Sequence, residues 1–227
     1  NRVEDAENGR ITDLLQVEIP ENVREQAKIV ATELGDMVVE RFPWAGKSRP
    51  HATSYEDFVL ANTWAPSLGV VGLSGAPDVL NAGNTLRPNT LAKLVFRLPP
   101  TLNAERAGQA LKGLLESDPP TGSKVTFELE HPQTGWHAPS LADWLVKSAD
   151  NASRAFFERP MLTMGTGGTI PFMKMLGDRF SNVQFVVTGL LGPESNAHGP
   201  NEFLEIPTGK RVTACIAAIL ADHANRS

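Results

Sequence analysis

The chain has 227 residues, a net charge of −5 and 41% hydrophobic residues, enough for two modest domains with a sizeable core and too apolar for disorder throughout. An acidic chain with no basic run argues against nucleic acid as its main partner. The longest apolar runs, such as residues 214–221, are too short to cross a bilayer, so no membrane partner is expected.

Taken in order, residues 1–17 are mixed, and Asn8-Gly9 marks a turn. Pro20-Glu21 opens a helix, with an early proline and an acid at the positive end of the dipole. Val23, Ala27, Val30, Ala31 and Leu34 continue it at helical spacing. Pro43, Gly46 and Pro50 break residues 42–51 into a loop. Ser54-Tyr55-Glu56-Asp57 is a capping box, with Asp57 in place of the usual Glu, and leads a helix to about Trp64. Residues 68–73 read as a strand and 75–89 as a long loop. Residues 91–98 alternate, with Ala92, Leu94, Phe96 and Leu98 on one face and Leu91, Lys93, Val95 and Arg97 on the other. The second face is half polar, so one side of this sheet should be open to solvent. Asn103 caps a helix striped by Ala107, Ala110, Leu111, Leu114 and Leu115, and residues 119–122 end it. Val125, Phe127 and Leu129 alternate with polar neighbours as a further strand. The order β–β–α–β over residues 68–130 is three-quarters of a ferredoxin-like unit.

His131-Pro132 and Trp136-His137 then lead into a second piece. Ser140-Leu141-Ala142-Asp143 is a second capping box, and Leu141, Trp144, Leu145, Ala152 and Phe156 form a stripe behind it. Residues 161–164 and 183–187 read as neighbouring parallel strands joined by a right-handed crossover helix. Between them lies Gly165-Thr166-Gly167-Gly168-Thr169-Ile170-Pro171. A glycine-rich turn ahead of a helix presents free N–H groups to an anion. Phosphate or nucleotide is one reading, although no Lys-Ser/Thr follows and the dinucleotide glycine spacing is absent. Turn residues crowd 189–203 around Glu194, His198 and Glu202. A last helix opens near Pro207, striped by Val212, Cys215, Ile216, Ile219 and Leu220. Cys215 is the only cysteine, which excludes an internal disulfide. It reads as a small buried hydrophobe and fits a reducing, cytoplasmic setting.

Several of these segments carry a resemblance. Ser195-Asn196-Ala197-His198-Gly199-Pro200-Asn201-Glu202 resembles the C-terminal metal-ligand motif of the zinc-dependent dipeptidase, aminoacylase and carboxypeptidase family, the carnosinase-like metallopeptidases. The resemblance implies that His198 binds one of two divalent metal ions, with zinc expected and manganese or cobalt as alternatives. Asn84-Thr85-Leu86-Arg87 followed by Phe96-Arg97-Leu98-Pro99 resembles the family's lid pattern, with Arg87 where proline is usual. It implies that Arg97 holds the substrate's free carboxylate through its planar fork, and that Asn84 reaches an active site across a dimer. Gly167-Gly168-Thr169-Ile170-Pro171 is similar to the family segment that holds the same carboxylate. Gly168 stands where some members have Ser, so its contact would be through the main chain. His131 resembles a histidine held near the substrate in some members. Against these stand plainer readings: Arg97 as a solvated strand residue, Asn84 as a turn residue, and His131 and His137 as structural or solvent-facing.

The expected fold class is α/β. A partial ferredoxin-like lid and dimerisation domain with a helical insertion should cover residues 1–137, and the C-terminal part of an α/β catalytic domain residues 138–227. The implied activity is hydrolysis of dipeptides or N-acyl amino acids with a free C-terminal carboxylate, by water activated between two metals, in a homodimer. That chemistry also needs a His-x-Asp segment and a Glu-Glu pair, and the sequence contains neither. No catalytic residue is therefore assigned here, and the expectation is an incomplete, inactive fragment of a longer peptidase. The alternatives are a non-enzymatic anion- or nucleotide-binding α/β module, or a domain used only for dimerisation.

Overall fold

The computed structural model describes residues 2–166, 171–192 and 194–226. It begins with a short antiparallel bridge between Glu4 and Ile11, turned at Asn8-Gly9, where Gly9 has φ +70°. A helical unit follows, made of α1 (Glu21–Leu34), α2 (Met37–Glu40) and α3 (Tyr55–Thr63). The expected cap of α3 is present: Ser54 Oγ accepts the Asp57 N–H at 3.0 Å and donates to Asp57 Oδ2 at 2.8 Å. Ala27, Val30 and Ala31 of α1 meet Val38 and then Phe58, Val59 and Leu60 in one buried cluster. The helical periodicity thus becomes a packed three-helix core.

β1 (Ser67–Ser74) and β2 (Leu91–Arg97) form an antiparallel pair in which Leu68 faces Phe96 and Val70 faces Leu94. The register shifts between Val70 and Gly72, so Val71 bulges out of the ladder. The inner face, Leu68, Phe96 and Leu98, packs on Ala107 and Leu111 of α4 (Ala104–Glu116). Asn103 caps α4 as expected, its side chain accepting the Arg106 N–H at 2.9 Å. Leu91, Val95 and Arg97 stand exposed on the outer face. The core also takes Ile11 and Leu15, 2% and 0% exposed. The N-terminal segment, unremarkable by pattern, therefore belongs to this layer.

The expected third strand of the layer joins no ladder among the described residues. Its backbone finds side chains instead. Phe127 N–H donates to Glu116 Oε1 at 2.7 Å, and Phe127 O accepts from Lys112 Nζ at 2.9 Å. With both main-chain groups satisfied from α4, the segment lies along the helix, and Phe127 still reaches the core. An exposed Lys93–Glu130 pair at 2.8 Å ties its end to β2.

In the C-terminal piece, α5 (Asp143–Phe157) packs on α7 (Ile206–Ala224). Leu145, Ala152 and Ile219 are buried in this piece, and Ser148 Oγ donates to Asp222 Oδ2 at 2.6 Å across the seam. The second capping box is not used. α5 starts at Asp143 with Ala142 as its N-cap, and the Ala142 N–H donates to Gln184 Oε1 at 2.6 Å. α6 (Pro171–Arg179) lies between the two expected parallel strands, and neither of those forms a ladder among the described residues. Strands buried on both faces need neighbours on both edges. Here Leu162, Met164, Val186 and Val187 stand 40–56% exposed, and the Met161 N–H turns to Asp150 Oδ1 at 3.0 Å.

Candidate active site

His198 is exposed on a loop that closes on itself through short-range bonds. Ser195 is buried, and its Oγ donates to Gly192 O at 2.7 Å. Phe203 N–H returns to Ser195 O at 3.1 Å, and Asn196 Nδ2 reaches Pro200 O at 2.6 Å. The Glu202 carboxylate accepts the His198 N–H at 3.0 Å. Glu194, Asn196, His198 and Asn201 all have φ between 55° and 64°. Non-glycine residues in this region carry backbone strain of about 1–3 kcal/mol each, least for Asn, and such strain gathers at functional sites. The network therefore holds the strained backbone that carries the exposed His198 imidazole. Beside the loop's two ends, a groove of about 430 Å³ runs between Leu190, Leu204, Ile206 and the start of α7.

Arg97 ends β2 opposite Ser67, exposed. Among the described residues no ion pair engages its guanidinium. Asn84 sits exposed in the loop between β1 and β2. The same loop carries Val79, Leu80 and Leu86 at 89%, 94% and 100% exposure, an apolar tip left uncovered among the described residues. His131 is exposed with φ +47°, and its charge helps hold Glu130 below the ordinary carboxylate range, after the larger effect of Lys93. His137 stacks edge-on against Trp64 of the helical unit at 5.0 Å, a structural role. Trp64 itself is buried, with its indole N–H unpartnered among the described residues.

Gly167, Gly168 and Thr169, expected to cradle a carboxylate, lie outside the described residues. The stretch leading to them is gripped by the helical unit. Arg159 pairs with Glu33 at 3.0 Å, Gln26 Nε2 donates to Thr163 Oγ1 at 2.6 Å, and a Cβ at Gly165 would stand 3.1 Å from Thr63 Cβ. A second cleft, about 460 Å³, lies between the 136–140 connector and the end of α6, lined by Trp136, His137, Phe180 and Phe185. The sequence marks this connector only as the way into the second piece; the contacts of Trp136 are tertiary and leave no pattern along the chain.

Among the described residues no group of three His, Cys, Asp or Glu could hold an ion, and Glu202 is already engaged with the loop backbone. A single imidazole falls short of the three or four ligands such an ion takes. These residues alone do not make a metal centre. Cys215 stays a half-buried thiol, its pKa raised by burial, as a structural residue would be.

No family model matches the chain. The chain is similar to a cysteinylglycine-S-conjugate dipeptidase from Corynebacterium striatum, 26% identical over 147 residues, which is 63% of this chain and 31% of that protein. In solved structures it aligns with the dipeptidase Dug1p from Saccharomyces cerevisiae (TM-score 0.74, 17% identity) and with human carnosine dipeptidase 1 (TM-score 0.66, 19% identity). Each alignment covers 99% of this chain and 47% of the other. An M20 family metallo-carboxypeptidase from Sulfolobus solfataricus aligns over 96% of this chain and 49% of its own, with TM-score 0.66 and 20% identity. The fold is a mixed α/β arrangement matching part of the metallopeptidase fold. The chain spans between about a third and a half of the length of the relatives it matches. Dug1p, human carnosine dipeptidase 1 and the Corynebacterium striatum protein are named dipeptidases.

Proposed function

We propose that the protein carrying this chain hydrolyses amide bonds in dipeptides or N-acyl amino acids that end in a free carboxylate. What supports the reading most is the likeness of nearly the whole chain to part of two dipeptidases. In this reading Arg97 pairs with the substrate carboxylate, Gly167, Gly168 and Thr169 add main-chain and hydroxyl donors, and Asn84 and His131 approach the substrate from the layer. His198 donates a ring nitrogen to a divalent ion, zinc by preference with manganese or cobalt as alternatives. The remaining donors and the base come from residues outside this chain, so the chain alone is inactive. Two such ions, when bound, would polarise the scissile carbonyl and activate water.

The exposed outer face of the layer, Leu91 and Val95, and the loop tip at Leu80 and Leu86 favour a homodimer through this layer. No helix among the described residues is long and apolar enough to cross a membrane, and a cytoplasmic location is our expectation. The test is hydrolysis of simple dipeptides by the whole protein, with and without a chelator. Chelator-sensitive turnover that falls at least about a hundredfold in His198→Ala supports the reading. Metal-independent turnover, or a His198→Ala enzyme with full activity, would contradict it.

A further inference from the structure

Residues 134–137 touch a different part of the molecule at each position. The Ala104 N–H, at the start of α4, donates to Thr134 Oγ1 at 3.0 Å. Gly135 lies so close to Pro100 that a Cβ there would stand 2.7 Å from Pro100 Cα. Trp136 seats on α6, where a Cβ at Gly177 would lie 2.6 Å from Trp136 Nε1 and 3.0 Å from Cε2. The same indole meets the Phe185 ring edge-on at 4.9 Å. His137 stacks on Trp64 of the helical unit. Four consecutive residues thus clamp the layer, the C-terminal piece and the helical unit together. Pro99 and Pro100 follow Arg97 after Leu98, and Pro99 is fully buried. The strand end that carries Arg97 is therefore held against the same junction.

We propose that Trp136, seated on Gly177, is a positioning residue that fixes Arg97 relative to the C-terminal piece bearing His198. The proposal rests on Arg97 binding the substrate carboxylate. The half-buried indole is held on two sides, by a glycine of α6 and by the Phe185 ring, at the wall of the cleft of about 460 Å³. A methyl at position 177 meets the ring below contact distance, and the connector must shift. A misplacement of about 1 Å at a binding group is enough to cost a large factor in rate.

The experiment uses the whole protein, with a dipeptide and its C-terminal amide as paired substrates. Gly177→Ala should lower the preference for the free acid about tenfold, by raising KM for the acid with kcat held and amide turnover unchanged. Adding Trp136→Phe to that variant shrinks the ring that the methyl meets, and the preference should return. A merely structural contact would lower both substrates together and leave the preference unchanged. Should Gly177→Ala fail to fold, Trp136→Phe and Trp136→Ala carry the same test: the first should keep the preference and the second lose it. An unchanged preference in Gly177→Ala, or in Trp136→Ala, would overturn the proposal. A wild-type enzyme without any preference for the free acid would instead remove the role of Arg97, and the junction's role with it.

Discussion

In the two-stranded layer the backbone and the apolar side chains close on one another; in the C-terminal piece they do so only along one seam. The layer pairs β1 with β2, buries Leu68, Phe96 and Leu98 under α4, and seals the edge with Ile11 and Leu15. The C-terminal piece closes between α5 and α7, while Val183, Val186, Val187, Phe203 and Ile206 stand 41–65% exposed. The difference teaches that strand-forming sequence needs a partner edge before it becomes sheet. The layer holds two strands that are partners to each other. The segments at 161–164 and 183–187 lack such an edge.

The largest effect should come from cutting into the closed parts. Leu111→Ala removes a residue 3% exposed between α4 and the sheet, and should cost about 2–5 kcal/mol in denaturant unfolding. Leu145→Ala, at 1% exposure in the C-terminal piece, should cost a similar amount. Val187→Ala, on the uncovered face, should stay within about 0.5 kcal/mol. A large loss at Val187 would show that its face is covered, and the contrast between the regions would fail.

A smaller effect separates the two capping boxes. Asn103→Ala removes the acceptor of the Arg106 N–H and should destabilise by about 1 kcal/mol. Ser140→Ala should change stability by less than about 0.5 kcal/mol, because α5 begins beyond it. Equal losses in thermal melts would mean that Ser140 caps α5 after all.

These two boxes also show what was legible in the sequence. Ser54 and Asn103 worked because a cap is local chemistry, settled within three residues. Ser140 failed because Gln184, far along the chain, takes the N–H of Ala142. The 125–129 strand was misread for a similar reason: Lys112 and Glu116 satisfy Phe127 before any strand does. Ile11 and Leu15 have no period around them, so their place in the core was invisible. Of the candidate site, the motif around His198 was readable from its resemblance and its turn residues. The seat of Trp136 on Gly177 was not, since a close approach between distant residues leaves no pattern along the chain.

The smallest effect is acid sensitivity, which both regions share through different partners. Glu116 is held below the ordinary carboxylate range by the Phe127 N–H and then by Lys112; Asp150 by Arg154 and then by the Met161 N–H. A depressed folded value gives stability that is present above the unfolded value of about 4 and lost as pH falls through the folded one. Glu116→Gln and Asp150→Asn should therefore flatten the loss of melting temperature below about pH 4, with little further change at higher pH. An acid slope identical to wild type in either variant would remove that carboxylate from the account.

The role of Arg97 is the most direct test of the account as a whole. Charge-assisted hydrogen bonds are worth about 1.5–3 kcal/mol, so removing the guanidinium should weaken substrate binding roughly tenfold to a hundredfold. The measurement is kcat/KM of the whole protein, wild type and Arg97→Ala, with a dipeptide and with its C-terminal amide. The account predicts that wild type prefers the free acid and that Arg97→Ala loses this preference while amide turnover persists. A preference left intact in Arg97→Ala would contradict it and leave Arg97 a solvated residue at the end of β2.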